Sequence, residues 1–138
     1  MKRALFSKRR EGGQSVVELA LTLPLVLLLI FGMVEMGWLI SARQSLDTMT
    51  REGARAGIVA ATTTASRTAV TNRVAAVKPS YMKNAATITV TFSNAASFKD
   101  GDITVTTAYN LPPLSPLTEF LTQDGTYHLH STYTMKMG

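Results

Sequence analysis

Glu18 and Glu35 are the only charged residues from Gly13 to Ile40, the longest apolar stretch of a 138-residue chain. An ionisable group in such a setting is costly unless something pairs with it. Glu18 stands five residues after Gly13. Hydrolysis of the Gly13–Gln14 bond would create a positively charged α-amine about one helical turn from that carboxylate. Between parallel helices, Glu18 could then neutralise the α-amine of a neighbouring chain in low dielectric, where a pair is favoured over a lone charge. Other chemistry has less footing. His128 and His130 share one face of an expected strand, but no cysteine or nearby carboxylate in sequence completes a metal site. Asp100 and Asp102 around Gly101 suit a turn, because a calcium loop needs more oxygen ligands at defined spacing. There is no G-x-S-x-G and no phosphate-binding glycine loop. No metal, no cofactor and no enzymatic activity are expected.

The element that must position Glu18 is a helix. A hydrocarbon core of about 30 Å needs about 20 mostly apolar residues, and Leu19 to Ile40 supplies that length with Glu35 as its only charge. Lys2, Arg3, Lys8, Arg9 and Arg10 precede it against Glu11 alone, so the positive-inside bias predicts a cytoplasmic N-terminus and an exported C-terminal part. Three simpler readings compete: a buried core helix, a secretory signal cut near Ser41–Ala42, and an unprocessed signal anchor. The uniform aliphatic run counts against the first, its length and carboxylates against the second, and Glu18 against the third. Within the span, Pro24 removes one amide and crowds the carbonyl of Ala20, which predicts a kink or a locally opened turn. Glu35, flanked by Gly32 and Gly37, reads either as an interfacial carboxylate or as an intramembrane contact to another protein. Trp38 fits an interfacial anchor.

A basic leader ending in glycine, followed by GQSVVELALTLPLVLLLIFGMVEMG, resembles the class III signal of type IV pilin-like proteins. In those proteins a prepilin peptidase cuts after the glycine, and glutamate occupies the fifth mature position. The longer stretch GQSVVELALTLPLVLLLIFGMVEMGWLISARQSLDTMTREGARAG is similar to the TadE-like family, minor pseudopilins of the bacterial tight-adherence (Tad, Flp) pilus. The resemblance implies a scissile bond at Gly13–Gln14, since only that cut places Glu18 fifth. It implies as partners the membrane, the prepilin peptidase, other pilins and pseudopilins, and the inner-membrane platform proteins of the pilus. It is specific over residues 13 to 57 and weaker beyond.

Charge bears on the partners too. The formal net charge is +5, but the leader alone holds five basic residues against one acid, so the processed chain is nearly neutral and a nucleic-acid partner is not expected. With no cysteine, stability outside the cytoplasm must come from core packing and assembly. Residues 1 to 12 are expected to be disordered and disposable after processing.

Beyond the span the helix is expected to continue to about Ala60. Leu39, Ala42, Leu46, Met49, Gly53, Ala56 and Ala60 form a narrow apolar stripe. Arg43 with Asp47, Asp47 with Arg51, and Glu52 with Arg55 sit at helical pair spacings; the REGAR segment, Arg51 to Arg55, is assigned no chemistry. Thr62 to Thr64 interrupt the run, Ser66 is the expected cap of a second helix through Val77, and Pro79 ends it. Three strands follow in ATITVTF, DITVTTAY and YHLHSTYTMKM, each alternating apolar and polar residues. The proline-containing connection from Asn110 to Thr126 offers Leu111, Leu114, Leu117, Phe120 and Leu121 as a partner-contact patch, or as a short helix starting at Ser115 and Pro116 that covers the sheet.

The expected fold is α+β and type IV pilin-like: a long N-terminal transmembrane α-helix, a second helix and a three-stranded antiparallel sheet. Its parts are a cleavable leader (1–13), a transmembrane helix (14–40) and an extracytoplasmic head (41–138). The expected site is bacterial inner membrane, single-pass, with the head in the periplasm or carried into a pilus. The expected role is assembly or priming of that pilus. A tip-located ligand-binding or adhesin module, for which the apolar loop and the histidine face are the hints, and an anchored periplasmic domain unrelated to pili are the alternatives.

Overall fold

The computed structural model describes residues 4–94, 97–115 and 124–138. Helix α1 (Ala4–Ile58) is followed by α2 (Thr63–Val77), β1 (Thr87–Phe92), a short 3-10 turn (Phe98–Asp100), β2 (Asp102–Leu111) and β3 (Tyr127–Lys136). The chain divides into two compact units, one ending at Gly37 and one running from Trp38 to Gly138.

The first unit is helix. Its start differs from the expectation of disorder: residues from Ala4 onwards are already helical. Leucine, lysine, arginine and glutamate dominate that leader, and all are good helix formers. From Val16 to Met36 the large apolar side chains are exposed, with Leu21 at 74% and Met33 at 72%. From Gly13 onwards α1 is long and apolar enough to cross a membrane. The α-helix runs through Pro24. Because proline has no amide, the carbonyl of Ala20 lacks its usual donor four residues on. Just before it, the Thr22 hydroxyl donates to the carbonyl of Glu18 at 2.9 Å, so this polar side chain needs no water.

In the second unit α1 buries Ala42, Leu46, Met49, Thr50, Gly53, Ala54 and Gly57. This is the expected stripe as far as Gly53; beyond it the buried line passes through Gly57 rather than Ala56 and Ala60. Thr50 is fully buried and satisfies its hydroxyl on the Leu46 carbonyl at 2.8 Å. Helix α1 ends at Ile58, two residues before the expected end.

The start of α2 corrects the sequence reading. Thr62, not Ser66, is the N-cap, in extended conformation with its hydroxyl accepting from the Ala65 amide at 3.2 Å. Ser66 is fully buried, and its hydroxyl donates to the Gly57 carbonyl at 2.8 Å. That bond satisfies one of the carbonyls a helix leaves open in its last turn, and it fixes α2 against the end of α1.

Two glycines let these elements approach. A Cβ on Gly53 would lie 2.7 Å from Val74 Cγ2, and one on Gly57 would lie 2.5 Å from Ile103 Cδ1 and 2.8 Å from Val70 Cγ2. Val70, Val74 and Ile103 are themselves buried to within 1%. They have little room to retreat.

The sheet has strand order β1-β2-β3, every neighbour antiparallel. Alternation sets its faces as the sequence predicts for Ile103, Val105, Thr107 and Tyr109 of β2, which point into the core together with Leu111, while Asp102, Thr104, Thr106, Ala108 and Asn110 occupy the other side. Two threonine pairs, Thr104 with Thr134 at 2.9 Å and Thr106 with Thr132 at 3.0 Å, link β2 to β3 on that outer face. Trp38 and Tyr81 pack as tilted rings, 4.8 Å between centres and 55° between planes, and the Tyr81 hydroxyl donates to Ser45 Oγ at 2.8 Å, tying the loop after α2 to α1.

Replacing Gly57 by alanine should destabilise the head by about 1–3 kcal/mol, because overpacking outweighs a gain of about 1 kcal/mol in helix propensity. Urea unfolding of the detergent-solubilised chain, followed by Trp38 fluorescence, measures it. An alanine variant as stable as the parent would contradict the close approach.

Candidate functional site

Gly13, Gln14 and Glu18 lie on successive turns of α1, and all three are exposed. Nothing stands within 4 Å of a Cβ built on Gly13. The Gly13–Gln14 bond is inside the helix, where the main chain is closed by its own hydrogen bonds. The Gly12–Gly13 pair lowers the cost of opening it, since each glycine weakens a helix by about 1 kcal/mol relative to alanine. Among the described residues no ion pair involves Glu18. The carboxylate is exposed on the helix between Gln14 and Ser15 one turn before it and Leu21 and Thr22 one turn after, with the residue that would bear the α-amine four positions before it.

Glu35 is placed differently. It is 5% exposed, whereas Val34 and Met36 on either side are 52% and 57% exposed.

The expected partner-contact patch divides. Leu111 is 1% exposed and belongs to the core of the head, so it is not part of a surface patch; the alternation of β2 carries it inward. Leu114 is 56% exposed. Leu117, Phe120 and Leu121, with the short helix expected from Ser115 and Pro116, fall outside the described residues.

His128 and His130 are both exposed on the outer face of β3. The Nδ1 of His128 is 2.9 Å from Asn110 Oδ1 and its Nε2 is 3.7 Å from Asp124 Oδ2. Both ring nitrogens thus face polar neighbours, and among the described residues no group of three potential ligands gathers around a metal position. Asp100 accepts from the Ser97 hydroxyl, and the Asp102 amide donates to Ser93 Oγ at 2.7 Å, the hydrogen bonding of a turn.

The segment Arg51 to Arg55, read from sequence without a role, joins three elements. Arg51 sets its guanidinium 5.5 Å from the ring centre of Tyr133 on β3. Glu52 takes Arg55 at 3.4 Å and Arg73 of α2 at 2.8 Å. Gly53 makes the close approach to α2, and Ala54 is fully buried. Of the three expected charge pairs, Glu52 with Arg55 forms. Arg73 escaped the sequence reading because it is 21 residues away, beyond any local spacing rule.

A long N-terminal apolar helix with a second helix and a three-stranded antiparallel sheet is an α+β, pilin-like layout. Residues 13–55 match the model of a family described as TadE-like protein. The match covers 43 of the 138 residues, and it contains Gly13, Glu18, Pro24, Glu35 and the Arg51–Arg55 segment. No curated protein and no solved structure matches the chain.

The hydrogen bond from Arg73 holds the Glu52 carboxyl below its ordinary value of 4.5, with the charges of Arg73 and Arg55 adding to it against partial desolvation. A lowered folded-state pKa means the pairing stabilises the head fully above the unfolded carboxyl's pKa, and is lost as pH falls through the folded value. The parent should therefore be more stable than Glu52→Gln at pH 7, with the gap shrinking below about pH 4.5. Unfolding midpoints of both proteins across pH 3 to 7 check this; a gap that does not vary with pH would assign the difference to packing.

Proposed function

We propose that the chain is a Tad pilus-associated membrane protein, a minor pseudopilin cut by a prepilin peptidase between Gly13 and Gln14 and acting in assembly or priming of the filament. The observation that carries this reading is the match to the TadE-like family over residues 13–55, a stretch in which Gly13 and Glu18 keep a five-residue spacing on an exposed apolar helix. The leader, residues 1–13, holds the chain N-in until processing; residues 14–40 span the inner membrane; residues 41–138 form the periplasmic head. It is a structural and interaction protein, not an enzyme.

Processing creates the positive group that Glu18 answers. A carboxylate left alone among parallel apolar helices is penalised by desolvation, and pairing with the α-amine of the adjacent subunit removes that penalty. A subunit out of axial register leaves both charges unpaired. Charge pairing thus sets position along the assembly, while the apolar surface supplies most of the contact area.

Glu18→Ala and Glu18→Gln test the role of the charge. Both variants should insert and be processed like the parent, because the residue is exposed and contributes no core packing. Both should reduce surface piliation at least tenfold, with glutamine no better than alanine because it keeps shape without charge. Normal piliation in Glu18→Ala would overturn the pairing role.

A further inference from the structure

Among the described residues the sheet of the head has β2 at its centre and β1 and β3 as its edge strands. Inward side chains of β2 are at most 3% exposed, from Ile103 to Leu111. On the same face of the flanking strands Val90 and Leu129 are 7% and 8% exposed, and Ile88, Phe92, Tyr127, Tyr133 and Met135 are only half-buried. The helices cover the middle strand better than its flanks.

The hydrogen-bond ladder shows which main-chain groups face outward at those edges. The Met137 amide donates to the Gly101 carbonyl at 3.0 Å, so this pair is a hydrogen-bonded one. An antiparallel ladder alternates, which turns the amides and carbonyls of His128, His130, Thr132, Thr134 and Lys136 away from β2. The Ser93 amide donates to the Asp102 carbonyl at 3.0 Å, and the same alternation turns those of Ile88 and Val90 away from β2. Among the described residues no further strand takes up either set. Soluble proteins usually blunt such edges with proline, bulges or repeated charges. Strand β3 pairs with β2 over ten consecutive residues without a bulge, contains no proline, and carries a fixed charge only at Lys136.

We propose that the two edges pair with each other between copies of this chain, β3 of one head adding to β1 of the next. Both strands are antiparallel to β2 and therefore parallel to each other. Joining them continues the sheet with every head in the same orientation and all helices on one face. Pairing β3 with β3 of a second copy side by side and antiparallel would instead rotate that head by half a turn about the sheet normal. A β3–β1 contact is heterologous and open, so it propagates, and it places the half-buried Tyr133 and Met135 on the same face as Ile88 of the neighbour. Confinement of the copies to one membrane raises their effective concentration for so small a contact. The proposal rests on the assembly reading given above, which supplies many copies held in a common orientation.

The chain has no cysteine, so introduced thiols are unique. Thr89 of β1, Thr132 of β3 and Thr106 of the central strand are surface positions on the outer face. Outer-face neighbours on adjacent strands lie about 5 Å apart directly and about 7–8 Å diagonally, within reach of a short bis-maleimide. Full-length chain in native membranes carrying both Thr89→Cys and Thr132→Cys should give a ladder of cross-linked multimers at least tenfold above that of Thr106→Cys. Either edge substitution alone should give no more than that control. Adding His130→Pro to the double variant removes an amide facing the open edge without touching the β2 ladder, and should abolish the multimers while leaving the melting temperature unchanged. Thr132→Cys alone dimerising as strongly as the double variant would overturn the proposal in favour of β3–β3 pairing. A double variant that begins at Gln14 and supports piliation, yet gives no ladder, would overturn the edge contact and leave the assembly reading intact. A chain neither processed nor assembled, and giving no ladder, would overturn both.

Discussion

A helix that exposes leucine, valine and isoleucine around its whole circumference must be covered from outside its own chain, and this constraint governs the molecule. From Val16 to Met36 those side chains are about half exposed or more. Each large aliphatic side chain left in water forgoes roughly 1.5–3 kcal/mol relative to burial, so the sum far exceeds the stability of any small domain. A bilayer removes that cost for a single chain, and so do parallel helices of the same kind. The exceptions on this surface then acquire meaning. Glu18 is exposed on it, and Glu35 is 5% exposed.

The head has no such external support. It has no disulfide and a core of modest size, drawn from one face of α1, one face of α2 and the inner face of three strands. Close packing substitutes for staples. Gly53 and Gly57 bring α1 within contact of Val70, Val74 and Ile103, Ser66 closes the end of α1, and Glu52 and Arg51 hold the rim through Arg73 and Tyr133. Three of the five residues from Arg51 to Arg55, namely Arg51, Glu52 and Gly53, hold α1 to α2 or to β3, so this end of the family match is docking surface.

How much of this could be read from sequence depended on whether the deciding interaction was local. The strands were legible because threonine alternates with isoleucine, valine or tyrosine, and a period of two leaves little choice of face. The apolar stripe of α1 was legible as far as Gly53 for the same reason at a helical period. Its continuation through Gly57 was not, since a glycine carries no hydropathy and its role depends on Val70 and Ile103, elements away. Ser66 was mistaken for a cap because Ser is a good N-cap, but three threonines upstream offered an earlier one, and burial against Gly57 is a tertiary fact. Leu111 looked like part of an apolar loop until the length of β2 carried it inside. For the candidate site the local part alone was open to reading, since a helix sets Gln14 and Glu18, four residues apart, on one face.

Intact mass and N-terminal sequence of the chain recovered from membranes of its native host, beside a Gly13→Val variant, address the central claim most directly. The account predicts a parent chain beginning at Gln14 and a variant that keeps its leader. A parent chain recovered at full length, or one beginning after Ser41, would contradict it, because no α-amine would then stand one turn from Glu18.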